Sequence, residues 1–152
     1  MTALRLVVVA LVILLSASTG CGGKAPVKPS EQSDKAAKAV QRLADMEKAY
    51  ESRKMDDIVS GVSQDYKNGY AELLASLRKD SEMFSKVSVD IKIDRVEETK
   101  DDTRVVTHWT GTWTTKDGRT PEGRGEAVFV FANSEKAPLV DVIGDMPFSM
   151  VK

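Results

Sequence analysis

The chain has 152 residues, 41% of them hydrophobic and 30% charged, which suits a single globular domain and excludes disordered, collagen-like and multi-span membrane classes. Lys+Arg number 22 against 23 for Asp+Glu, and because Arg5 is the only charge ahead of Cys21, a chain processed there would carry 21 against 23. That balance supplies no basic field for phosphates and argues against nucleic acid as a partner. With one His and one Cys, the latter at the expected processing point, no intrachain disulfide, no Cys/His zinc cluster and no Cys–His nucleophile pair can be assembled in the mature domain, and no metal or cofactor is expected.

Residues 1–20 read as an export signal: a basic start at Arg5, an apolar run from Leu6 to Leu15, then the small residues Ser16, Ala17, Ser18, Thr19 and Gly20. The apolar run is too short for a stable spanning helix, which needs roughly 18 residues or more. The stretch Ala17-Ser18-Thr19-Gly20-Cys21 resembles the lipobox of bacterial lipoproteins, with Ser18 where Leu is commonest. The resemblance implies that Cys21 is acylated and becomes the new N-terminus, so that the bilayer is the first partner. A plain secretory signal cut beside Gly20 is the alternative, and it leaves Cys21 as an odd thiol in an oxidising compartment. Gly22, in place of the Asp frequent in inner-membrane members, points to the outer membrane facing the periplasm. Residues 21–34, with two prolines and no apolar periodicity, then read as the lipidated Cys and a tether, and residues 35–150 as the folded domain.

From Asp34, a candidate N-cap, the residues Ala36, Ala39, Val40, Leu43, Met46 and Tyr50 recur at helical spacing and predict an amphipathic helix ending near Lys54. Asp56 is positioned to cap a short second helix with Ile58, Val59 and Val62. A third helix starts near Asn68, with Tyr70, Leu73, Leu74, Leu77 and Phe84 on one side. The period then changes to two. Val87, Val89, Ile91 and Ile93 alternate with Ser88, Asp90, Lys92 and Asp94, which predicts a half-buried strand. A long strand over Thr103–Thr115, an Asp-Gly hairpin at Lys116–Arg119, a strand over Gly125–Ala132, a loop at 133–138 and a last strand over Leu139–Ile143 complete the chain. Helices followed by an antiparallel meander define an α+β class, with N-terminal helices packed on a curved sheet of about four strands.

This order of elements, with a short helix ending Gln64-Asp65-Tyr66 and the closing runs Gly125–Phe131 and Leu139–Asp145, resembles the nuclear transport factor 2-like superfamily over about residues 35–148. The resemblance implies a cone whose sheet wraps round the helices and leaves a pocket at the open end. That superfamily holds ketosteroid isomerases, polyketide cyclases, dehydratases and transport factors, so the fold does not choose a function.

Strand parity sorts the candidate chemistry. Val105, Thr107, Trp109, Gly111 and Trp113 share one face of the long strand, and His108 stands on the other, which argues against an interior general base. Trp109 and Trp113, as core or as pocket lining, flank Gly111 at an expected bend. Asp90 and Asp94 lie opposite the apolar face of their strand, so Asp141 is the one ambiguous acid; held in an apolar site it could act as acid or base, and otherwise it is exposed or paired. Within the resemblance, Asp65 ties down its turn and Tyr66 closes the core, while Tyr50, Tyr66 and Tyr70 are the hydroxyl donors near a pocket mouth. Acidic pairs at 56–57, 97–98 and 101–102 fit no calcium loop. The expected function is a non-catalytic binding or interaction module, taking a small apolar ligand in the cone or a periplasmic protein on the outer sheet face along Val106, Thr110 and Thr112, with a homodimer open. The alternative is an isomerase or dehydratase using Asp141 with a tyrosine.

Overall fold

The computed structural model describes residues 31–150, with side chains from Asp34 onward. Residues 1–30, with the expected export signal, Cys21 and most of the expected tether, lie outside the described residues. Helix α1 (Glu31–Glu51) buries Ala39, Leu43, Met46, Ala49 and Tyr50, a stripe at helical spacing that faces the sheet. It begins ahead of the expected cap, so Asp34 sits in the first turn, where a carboxylate opposes the helix dipole's positive end. Its C-terminus closes through Arg53 N–H to Tyr50 O at 3.0 Å and Lys54 N–H to Ala49 O at 2.8 Å, with Arg53 at φ 58°. Helix α2 (Met55–Ser60) buries Ile58. Its N-cap is Lys54 without a side-chain bond, not Asp56, which lies in the first turn.

Helix α3 (Tyr70–Met83) buries Leu73, Leu77 and Asp80. Phe84, expected on this helix, is already extended and opens the sheet. Strands β1 (Phe84–Glu98), β2 (Asp102–Thr115), β3 (Glu122–Ala132) and β4 (Leu139–Gly144) form one antiparallel sheet in chain order. β1 and β3 start three residues earlier than the sequence suggests, because Phe84 and Glu122 pair in register at strand ends that carry no alternating apolar pattern. The β2–β3 turn falls on Lys116–Arg119 as expected, closed by Thr115 N–H to Arg119 O at 2.8 Å.

Helices lie on one face of this α+β sheet, and the core fills the concavity between them with Tyr50, Leu77, Val105, Trp113, Phe129, Phe131 and Phe148. Both free edges are covered over part of their length. On β1, Glu51 Oε1 accepts from Val89 N–H at 2.9 Å and Glu47 Oε1 from Ile91 N–H at 3.0 Å. On β4, Leu139 N–H donates to Gly61 O and Ser63 N–H to Leu139 O, both at 2.8 Å, and Lys67 N–H reaches Val140 O at 3.0 Å. Ile93 departs from its expected burial and is 41% exposed, since a bulge follows it between Ile93 and Arg95 beyond the reach of the α1 carboxylates.

Candidate functional site

The two tryptophans sit on the concave side as parity predicts, Trp109 and Trp113 being 4% and 1% exposed, and their rings meet edge-on at 6.1 Å. Glycine makes the bed for them. A Cβ at Gly111 would fall 2.4 Å from Trp113 Cη2, and one at Gly125 would fall 2.9 Å from Trp109 Cζ2, so each ring lies directly on backbone that tolerates no side chain. Gly111 thus has a packing role: β2 runs through it as continuous strand in register with both neighbours, and the missing side chain lets the Trp113 indole fold back across it.

Between α3, the residues after α2, the ends of β2–β4 and the segment Asp145–Met150 lies a groove of about 870 Å³. Its floor is apolar, with Leu73, Trp109, Val142 and Met146, and its rim carries Glu72, Lys79, Arg124 and Asp145. Trp109 is fixed in it by Nε1–H donating to Asp145 O at 2.6 Å. Tyr66 presents its hydroxyl to the groove and to Met146 Sδ at 3.9 Å, and burial raises the pKa of that hydroxyl.

Four residues expected near the pocket do not line this groove. Trp113 and Tyr50 lie behind it in the sealed core, where Trp113 Nε1–H donates to Tyr50 Oη at 3.1 Å and Tyr50 O–H donates to Asp80 Oδ2 at 2.5 Å. Tyr70, at the first turn of α3, packs half-buried against the core. Asp141 is turned away by register, paired with Val130 on the face opposite Phe129 and Phe131, after a bulge that shifts β4 by one residue. There Asn68 Nδ2–H donates to its Oδ1 at 3.2 Å and Lys67 Nζ stands 3.4 Å from Oδ2, so the acid is paired and ordered outside the groove.

Asp80 was missed at the sequence level although the signal was present. It continues the Leu73–Leu77 stripe at positions i, i+4 and i+7 of α3, and a carboxyl on an apolar stripe is buried only with partners. It is 1% exposed, and besides Tyr50 it accepts from Met150 N–H at 2.8 Å. Tyr50 is raised well above the ordinary tyrosine range, first by burial and then by Asp80, so its hydroxyl remains a donor. On the opposite side of the sheet, His108 faces outward as expected and holds Asp94 with Nδ1 to Oδ1 at 2.7 Å, both half exposed. Asp65 does not tie its turn through its side chain; it is exposed, and Ser63 Oγ accepts from its N–H at 3.2 Å. Tyr66 does close the core at 6% exposure. The outer stripe expected along Val106, Thr110 and Thr112 is hydrophilic towards its threonines, which edge a shallow depression with Ser88, Asp90 and Arg124. Among the described residues no group of three or more His, Cys, Asp or Glu is arranged to hold a metal ion, and no helix is long and apolar enough to cross a membrane.

No protein-family model and no curated protein matches the chain. Solved structures do. A nuclear transport factor 2-like superfamily protein from Salmonella enterica superposes with a TM-score of 0.63 at 14% identity, over 78% of this chain and 95% of that one. The chain has the nuclear transport factor 2-like fold. A ketosteroid isomerase-like protein from Erwinia carotovora gives 0.59 at 15% identity, over 73% of this chain and 95% of that one. A nuclear transport factor 2-like protein of unknown function from Exiguobacterium gives 0.53 at 16% identity, over 68% and 98%. At these identities the likeness is one of fold, and the site must be argued from this chain's own residues.

Proposed function

We propose that the chain is a lipid-anchored, periplasm-facing binding module that takes a small, largely apolar ligand in the groove beside Trp109. The observation that carries this reading is the groove itself: about 870 Å³ bounded by Leu73, Trp109, Val142 and Met146, with charged groups only at its rim, matches the size and lining of small-molecule sites. The reading as a binder and not an isomerase is supported by the state of the two buried acids. Asp141 is tied to Lys67 and Asn68 outside the groove, and Asp80 is tied to Tyr50 and the Met150 amide behind it. A general base needs reach to a substrate proton, which neither has.

The anchoring part of the proposal rests on the Ala17–Cys21 pattern after a short apolar run. Acyl chains at about 0.8 kcal/mol per buried CH2 would hold the domain on a bilayer without a spanning helix. Cys21→Ala should release the protein from membranes, and a variant that still sediments with them after signal removal refutes the anchor.

For the groove, 1-anilinonaphthalene-8-sulfonate serves as the probe. Saturable one-site binding is expected, abolished by Ala75→Trp, which fills the groove from an exposed position on α3, and unaffected by Thr110→Trp on the outer face. Dye binding that Ala75→Trp leaves unchanged would overturn the groove as the site.

A further inference from the structure

Strand β4 has 6 residues against 11 in β3, and the pairing of the two ends at Ala127 and Gly144. From Glu122 to Gly125, β3 therefore has β2 on one side and, among the described residues, no strand on the other. Alternation decides which peptide groups meet that open side. Trp113 N–H donates to Pro121 O at 2.9 Å on the β2 side, whereas Glu126 O accepts from Asp145 N–H at 2.8 Å on the β4 side. Odd positions thus face β2, and Glu122 and Arg124 turn their N–H and C=O groups to the open edge. The Asp145 carbonyl is taken by Trp109 Nε1–H, and the ladder stops there.

The side chains of this stretch differ on its two faces. On the concave side it carries only Gly123 and Gly125, on which the indoles lie: a Cβ at Gly123 would fall 3.1 Å from Trp113 Cζ3, and one at Gly125 2.9 Å from Trp109 Cζ2. On the convex side stand Glu122, Arg124 and Glu126, alternating in sign. Arg124 is exposed and borders both the groove and the shallow depression on the outer face. Among the described residues its guanidinium has neither an ion pair nor a hydrogen bond.

We propose that Glu122–Gly125 is an addition site for an extended peptide segment, which joins the sheet antiparallel to β3 beside the end of β4. Charge complementarity sets its chemistry: an acidic residue opposite Arg124 and a basic residue opposite Glu122. Between them an apolar residue lies opposite Gly123, where alternation turns its side chain to the concave side and the groove beside Trp109. That side-chain contact rests on the groove reading, whereas the backbone pairing stands without it. The open stretch is bounded by Asp145 at one end and by the turn at Lys116–Arg119 at the other, which suits a short segment and not a full strand of a second copy.

The probe is acetyl-Glu-Phe-Lys-amide, titrated into the full chain and followed by amide chemical shifts. Saturable binding is expected, with the Glu122 and Arg124 amides shifted and protected from hydrogen exchange. Methylating the probe's Glu nitrogen, which donates to Arg124 O, should weaken binding about tenfold or more, whereas methylating its Phe nitrogen, which points away from β3, should not. No binding, or equal effects of the two methyl groups, overturns the proposal. Wild type should prefer this probe to acetyl-Lys-Phe-Lys-amide, and Arg124→Glu, at an exposed position, should reverse the preference; an unchanged preference overturns the assigned polarity. A dimer of the free chain that Arg124→Glu dissolves would give the edge to a second copy and overturn the peptide assignment. Failure of the peptide with one-site dye binding intact refutes this inference alone, and loss of dye binding with the peptide still bound refutes the groove alone.

Discussion

Tyr50→Phe removes one oxygen from the centre of the cone and leaves the ring packing intact, including the edge contact with Phe148. The hydroxyl donates to Asp80 at 2.5 Å and accepts from Trp113 Nε1–H at 3.1 Å. Asp80 keeps the Met150 amide as a donor, whereas the indole N–H, in a residue 1% exposed, loses its acceptor. Two hydrogen bonds lost at about 1 kcal/mol each, plus an orphaned buried donor at about 1–2 kcal/mol, give an expected loss of about 3–4 kcal/mol. For a domain of this size that corresponds to a fall in Tm of about 10–16 °C. Urea unfolding followed by circular dichroism should show a lower midpoint at unchanged slope. A cycle with Trp113→Phe isolates the Nε1 bond from the volume change, with a coupling of about 1 kcal/mol or more expected. A loss below about 0.5 kcal/mol with zero coupling would mean that the hydroxyl is not part of a closed buried network, and the reasoning would fail.

Gly111→Ala places a methyl 2.4 Å from Trp113, so an overpacking cost of about 1–3 kcal/mol is expected, with iodide quenching of indole fluorescence increasing as the rings are pushed out; a neutral variant refutes the glycine bed. Glu47 is raised above the ordinary carboxylate range, first by burial and also by Glu51 and Asp90, against the lowering effect of the Ile91 amide. The folded state then holds its proton more tightly than the unfolded state, so this contribution to stability is present at low pH and lost as pH rises through the raised value. The stability of wild type relative to Glu47→Gln should accordingly fall as pH rises above the ordinary carboxylate range, and a rising difference would reverse the assignment. Asp141→Asn gives up an ion pair to a largely exposed lysine while the amide oxygen still accepts from Asn68. It should cost less than about 1 kcal/mol and leave complementation intact, and loss of function in a variant as stable as wild type would favour the enzyme reading.

Period and parity carried the fold and half of the site. The change from spacing of three and four to spacing of two marks the passage from α3 to β1, and alternation along β2 placed Trp109 and Trp113 inside and His108 outside. What alternation could not carry was register across a bulge. Asp141 looked ambiguous because the shift between Val130 and Phe131 moves one residue of β4 out of phase, and that shift is a property of the pair of strands, not of either sequence. Ile93 keeps the phase of Val89 and Ile91, pairing with Thr107 ahead of its bulge, and its exposure is a matter of cover and not of register. Depth was equally hidden: Tyr50 lies on the apolar stripe of α1 and Tyr66 in the turns beyond α2, which ends at Ser60 and not at Tyr66, yet one is sealed and the other reaches the groove, because the Phe148 ring stands over Tyr50. Asp80 was legible and was passed over, since an acid within a run of Leu73 and Leu77 on one helical face already implied a buried partner.

The carboxylates of Glu47 and Glu51 that close the amides of Val89 and Ile91 make α1 the custodian of an edge strand. Two neighbouring turns of helix thereby occupy hydrogen-bonding positions that a second copy would need to extend the sheet, and past Ile93 a bulge and the charges Asp94, Arg95, Glu97 and Glu98 interrupt the ladder. The guard is only as durable as the docking of that helix. Damage to the helix face that loosens α1 uncovers the amides of Val89 and Ile91, so it is expected to promote pairing between copies along this edge.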